Sequence, residues 1–330
     1  VNQNPPQQPG APRGGVRLGA HWRTVSWAIL DKSLPVWFGL AFLLLAVRAL
    51  PAQEFALQVV ASALLLTISQ LLRALLLVPL VRIVAEQAGA GRAGATALLL
   101  YVGASASAAL LLAGGRELWA AGFDKPALAA VLVPSAWLLA AGSARDAAVA
   151  CFEGLRRLRS VFLLDAAYFA AAIAALVAWR LAPGPRTATA VQWIQAGAAA
   201  FGTVVALVAA RRMLFVAPSR AAAREILRFG ASFLGSSVGA TLSQQADTLL
   251  AGRLMDAPGV AAYGAARLLF RVFNVLAQAI SQVIFPAVAR LHTAGRQADL
   301  RALFEKSVCF LTLALVPAGV LIIAATGPFL

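Results

Sequence analysis

Apolar residues run through this chain in long blocks separated by short polar interruptions. Nine blocks approach or exceed the roughly 20 residues a helix needs to cross a bilayer. They lie at 33–50, 55–80, 95–115, 126–150, 161–181, 189–210, 229–253, 259–287 and 308–327. No stretch alternates over the length of a barrel strand, so the pattern predicts an all-α polytopic membrane helix bundle. Residues 1–20 depart from it. They are rich in Pro, Gln and Gly, which predicts a disordered, solvated tail. The first apolar block begins too late for a cleavable signal peptide.

Composition supports the same class. Hydrophobic residues make up 61% of the 330 and charged residues 12%, against about 25% charged in a soluble domain. The net charge of +15 raises the question of nucleic acid. The basic residues instead cluster between apolar blocks, with none of the aromatic interleaving that stacks bases. Partners are therefore membrane lipids, not nucleic acid. If the N-terminus is cytoplasmic and the blocks alternate, the inside segments carry nineteen Lys and Arg residues and the outside segments six. That is the positive-inside pattern.

The basic, Pro-containing segment RRMLFVAPSRAAAREILR marks the main internal boundary. It predicts a first six-helix lobe over 21–210, a basic cytoplasmic linker over 211–228, and the first three helices of a second lobe over 229–330. A weak repeat relates VRALPAQEFALQVVA (47–61) to GRLMDAPGVAAYGAA (252–266), both placed in outside loops. Two parallel six-helix lobes follow if the repeat is real. The chain then reads as a fragment of a longer protein with its second lobe truncated. Cys151 and Cys309 form no disulfide framework and read as small apolar fillers.

Polar residues inside apolar blocks carry the candidate chemistry, because ionisable groups in a span face protein or a water-filled cavity. In the eighth block Arg267, Arg271, Asn274, Gln278 and Gln282 recur at helical spacing and share one face. In the seventh, Ser237, Thr241, Gln244 and Thr248 do the same, with Asp247 beside them. A short connection near Asp256–Pro258 makes the two blocks a hairpin. Asp247 and Arg267 then fall at comparable depth, given a rise of about 1.5 Å per residue, and can pair. Interhelical packing explains the Ser, Thr and Gln residues equally well, as it does the GxxxG of Gly235 and Gly239. Arg73 can snorkel to the inner interface, and Asp165 is expected at an interface.

Enzyme signatures are missing. No phosphate-binding loop, zinc motif, Cys/His cluster or catalytic acid pair occurs, so neither a cofactor nor a metal is expected. His21 and His292 are expected to be solvated.

Residues 227–272, LRFGASFLGSSVGATLSQQADTLLAGRLMDAPGVAAYGAARLLFRV, carry a recognisable set of motifs. Phe229-Gly230 opens a helix, Asp247 precedes an apolar run ending in Gly252, and Ala261, Tyr263 and Ala266 follow a Gly-x-Tyr-x-x-Ala pattern. Phe285-Pro286 and Pro317 continue it. This stretch resembles the seventh and eighth helices of polysaccharide flippases, within the multidrug/oligosaccharidyl-lipid/polysaccharide exporter superfamily. Ala261 replaces the usual Gly, and Phe55-Ala56-Leu57-Gln58 replaces a typical Phe-Gly-x-Tyr in the first lobe. The resemblance is good over 225–320 and general over 21–210.

The resemblance implies transport of a lipid-linked oligosaccharide from the inner to the outer leaflet of the plasma membrane, for cell-surface polysaccharide biosynthesis. Two lobes rock about a central cavity, and polysaccharide polymerases are implied as partners. Arg pairs bidentately with phosphate, so Arg267 and Arg271, with Arg73, are the candidate pyrophosphate ligands. Asn274, Gln278, Gln282 and Gln244 are candidates to line the sugar path. Asp247 is the candidate for coupling to a proton or Na⁺. The rival readings are a multidrug exporter, a peptidoglycan lipid-precursor flippase, a membrane-embedded glycosyltransferase or polymerase, and a scaffold.

Overall fold

The computed structural model describes residues 18–86, 90–214, 216–268, 270 and 297–326. Among them there is helix and no strand. The first helix, α1 (Leu18–Phe42), ends in a π-helical turn over Leu43–Val47. Pro51 then opens α2 (Ala52–Leu72), which runs through a second π-turn, Arg73–Leu77, into α3 (Val78–Glu86). After these come α4 (Ala90–Gly114), the short α5 (Arg116–Gly122), α6 (Leu128–Gly154), α7 (Leu158–Leu181) and α8 (Ala188–Leu214). The last three are α9 (Arg220–Leu254), α10 (helical over 257–268) and α11 (Gln297–Thr326).

Six segments among the described residues are long and apolar enough to cross a bilayer. They are Leu30–Val47, Ala52–Glu86, Gly91–Gly114, Leu128–Gly154, Leu158–Leu181 and Ala188–Leu214. The protein is therefore an all-α, multi-pass membrane bundle. At 35 residues, α9 is about 50 Å long, ample for a span. Its Ser, Thr, Gln and Asp residues keep it out of that apolar set.

Lipid supplies no hydrophobic drive between helices, so close packing must come from small side chains. The bundle follows this rule. Helix α6 packs on α4 and α8 through fully buried Ala97, Ala147, Ala150 and Ala206, with Leu80, Val84 and Tyr101 filling the gaps. Large apolar residues such as Trp37, Leu110, Trp137 and Val208 point outward, as a lipid-facing surface requires.

The segment expected as a basic linker, 211–228, is mostly helix. Helix α8 continues to Leu214 and α9 begins at Arg220, because only Pro218 and its neighbours resist helix. Ser219 caps α9 by accepting from the Ala222 amide (3.4 Å), and its own N–H donates to Thr96 Oγ1 (2.9 Å), fixing the elbow to α4. Ser219→Ala removes the cap and keeps the backbone bond. It is expected to cost about 1 kcal/mol, read as a small fall in Tm in detergent.

Glycines bring α9 and α10 onto the first lobe. Gly230 meets the Leu75 carbonyl in the second π-turn, Gly252 meets Val60 and Gly264 meets Val59. At the expected GxxxG, nothing among the described residues lies within 4 Å of a Cβ built at Gly235 or Gly239. The two repeat segments are not loops. Pro51 starts α2 at Ala52, and Asp256 starts α10 by accepting from the Gly259 amide. Gly264 on Val59 and Gly252 on Val60 pack the two copies against each other. Cys151 is a buried filler, while Cys309 is exposed.

Candidate functional site

The α9–α10 hairpin gathers polar side chains at one level. Arg267 reaches from α10 to α9. Its Nη1 donates to Gln245 Oε1 (3.0 Å) and to Thr248 Oγ1, and its Nη2 donates to the Gln244 carbonyl. Asp247 Oδ1 stands 3.8 Å from Nη2. Tyr263 donates its hydroxyl to Asp247 Oδ2 (2.5 Å), and Thr248 donates its N–H (2.7 Å) and hydroxyl (3.3 Å) to Oδ1. Gln245 and Thr248 are buried, whereas the Asp247 side chain is 51% exposed and that of Arg267 32%.

The structure thus brings Asp247 and Arg267 together at the expected depth. It changes which residues join them. Gln244 is exposed and lends only its backbone carbonyl, while its neighbour Gln245 supplies the side chain. Tyr263, four residues before Arg267 and on the same helix face, entered above only as part of the Gly-x-Tyr-x-x-Ala motif, though its spacing from Arg267 was a usable signal for the site. Arg271, Asn274, Gln278 and Gln282 lie outside the described residues, as do Phe285, Pro286 and His292.

A second polar cluster sits inside the first lobe. Arg145 Nη2 lies 2.5 Å from Asp165 and Nη1 3.2 Å from Asp146, and the guanidinium stacks over the Tyr168 ring at 4.3 Å. Arg73 Nη2 pairs with Glu153 (3.3 Å), and Lys32 bridges Asp31 (3.2 Å) and Glu153 (3.9 Å). Asp31 is 5% exposed, and its Oδ1 has no partner among the described residues. Four acids face three bases here.

This cluster gives Asp165 and Arg73 partners that spacing along the chain does not show. The Asp165 side chain is 17% exposed and bound to Arg145. Arg73 is tied across the bundle to Glu153. Both partners lie on α6, which continues as helix to Gly154. Glu153 therefore rides on the same helix, beyond the end of the apolar block at 150. Among the described residues, no group of three His, Cys, Asp or Glu side chains is placed to hold a metal ion.

A family model described as "Polysaccharide biosynthesis protein" matches residues 47–330. The chain belongs to this family. Both polar clusters of the polysaccharide biosynthesis protein, apart from Asp31 and Lys32 on α1, fall within the matched region. Comparison with curated proteins and with solved structures finds no match.

Proposed function

We propose that this membrane protein of polysaccharide biosynthesis is a transporter. In this reading it moves a polyprenyl-diphosphate-linked oligosaccharide from the inner to the outer leaflet of the plasma membrane by alternating access. The N-terminus is on the cytoplasmic side, in keeping with the nineteen-to-six distribution of basic residues. One observation carries the reading. Arg267 sits within a helical hairpin of a membrane bundle, fixed by three neutral acceptors, with its nearest acid held 3.8 Å away. A guanidinium hydrogen-bonded to neutral acceptors, with its acid at ion-pair distance only, is suited to an anionic head group, and its planar fork matches phosphate.

Arg271 joins Arg267 at the diphosphate in this proposal, and Asn274, Gln278 and Gln282 line the sugar path. Asp247 is the acid through which a proton or Na⁺ gradient acts. Polysaccharide polymerases receive the carried lipid. The protein itself makes and breaks no covalent bond. The excess of acids in the first-lobe cluster favours a second reading, export of organic cations.

The test is transport by Arg267 variants. Arg267→Ala is expected to lower translocation of a diphosphate-linked glycan at least tenfold, a loss of the size seen when a charge-assisted contact is removed. Arg267→Lys, which keeps the charge and loses the fork, is expected to retain part of it. Undiminished translocation by a correctly inserted Arg267→Ala protein would sink the assignment of this residue.

A further inference from the structure

Arg267 is held by groups that do not cancel its charge. Gln245 Oε1, Thr248 Oγ1 and the Gln244 carbonyl are neutral acceptors. They fix the guanidinium plane against α9 and leave its charge to be balanced elsewhere. The nearest resolved acid is Asp247, at 3.8 Å, beyond hydrogen-bond length. Asp247 is kept at that distance by its own donors. Tyr263 holds Oδ2 at 2.5 Å and the Thr248 amide holds Oδ1 at 2.7 Å. The two charges form an ion pair with no hydrogen bond between them.

Asp247 and Arg267 also keep substantial exposed surface, 51% and 32% of their side chains. Among their partners Gln245 and Thr248 are buried. An anion arriving on the accessible side meets the unused guanidinium donors and the Asp247 carboxylate together. Its binding is therefore an exchange: it gains Arg267 and must overcome repulsion from Asp247.

We propose that Asp247 is the resident counter-ion of Arg267, and that the diphosphate of the carried lipid takes its place. The proposal rests on the transport reading above and adds a selection rule to it. A head group carrying two phosphates outcompetes a single carboxylate held at a distance. A head group with one phosphate does so poorly. The same exchange gives release, because Asp247 remains beside Arg267 to recover it once the lipid has crossed. The displaced carboxylate then lacks its cation, which is where a proton or Na⁺ would be taken up, since ligands that favour one another's binding do so reciprocally.

The experiment uses the full chain in lipid nanodiscs and two probes, N-acetylglucosamine linked to farnesyl diphosphate and to farnesyl monophosphate. Asp247→Asn removes the charge and keeps the Oδ1 that accepts from Thr248, while its amide NH2 takes the place of Oδ2 and can donate to the Tyr263 hydroxyl oxygen. It is expected to bind the diphosphate probe about tenfold more tightly and to lose preference over the monophosphate, as when a like charge is removed beside a ligand. Tyr263→Phe frees Asp247 to close on Arg267 and is expected to weaken binding. Tm and monodispersity establish that both variants are folded. Equal or weaker binding by Asp247→Asn, with binding still dependent on Arg267, overturns the counter-ion role and leaves diphosphate recognition standing. Wild-type binding indifferent to Arg267→Ala, or absent altogether, overturns both.

Discussion

Gly230→Ala is expected to dislodge α9 from the first lobe and remove most of the well-folded protein. A Cβ on residue 230 would lie 1.8 Å from the Leu75 carbonyl oxygen, 2.7 Å from its carbon and 3.1 Å from its Cα. All three are backbone atoms, so no rotamer change relieves the clash. Carbon atoms need about 3.5 Å, and α9 must retreat by more than 1 Å, roughly the shortfall. The retreat also strips Ile226 from the core it shares with Leu76 and Leu80, and pulls Gly252 away from Val60. Overpacking costs 1–3 kcal/mol in ordinary cores, and a helix-wide shift places this case at about 3 kcal/mol or more. Gly235→Ala on the same helix is the control, since nothing described lies near its Cβ. It should be neutral or gain up to about 1 kcal/mol, the difference in helix propensity between Gly and Ala. The readout is the monodisperse fraction after detergent extraction, with Tm. A Gly230→Ala protein as stable as Gly235→Ala contradicts the packing described for the second π-turn.

Arg145→Ala is the second large effect. The Arg145 side chain is 13% exposed and binds Asp165 and Asp146 while covering Tyr168. Its removal leaves two carboxylates inside the bundle without their cation. Breaking one partner of such a buried pair costs about 3–5 kcal/mol, whereas replacing both partners with apolar groups costs far less. Arg145→Met paired with Asp165→Leu should therefore regain much of the Tm lost by Arg145→Ala, although Asp146 still loses its contact with Arg145. Equal losses in the single and double variants would mean that the lost packing, and not the stranded charge, sets the cost.

The fold class was legible because apolar blocks and their basic flanks record the bilayer directly. The Asp247–Arg267 meeting was legible for a related reason: a short connection fixes the register of a hairpin, and depth then follows from the helical rise. The choice of Gln245 over Gln244 was not, since adjacent residues differ by about 100° around a helix and periodicity alone does not set which faces the partner. The first-lobe cluster was hidden more deeply. Arg73 and Glu153 are 80 residues apart, and Glu153 lies beyond the apolar block that ended at 150. The helix continues to Gly154, so Glu153 rides on the same helix as Arg145 and Asp146. Gly230 illustrates a further limit. A close approach of two backbones depends on a π-turn in the other helix, which no local sequence signal announced.

The most direct measurement is leaflet exchange in proteoliposomes. The chain is reconstituted with a fluorescent polyprenyl-diphosphate oligosaccharide in both leaflets, and the fraction accessible to an external glycan-cleaving enzyme is followed with time. Protein-dependent access to the inner-leaflet pool, lost in Arg267→Ala and absent for organic cations, is the expected result. No access to that pool, together with efflux of organic cations under an imposed ion gradient, would contradict the account.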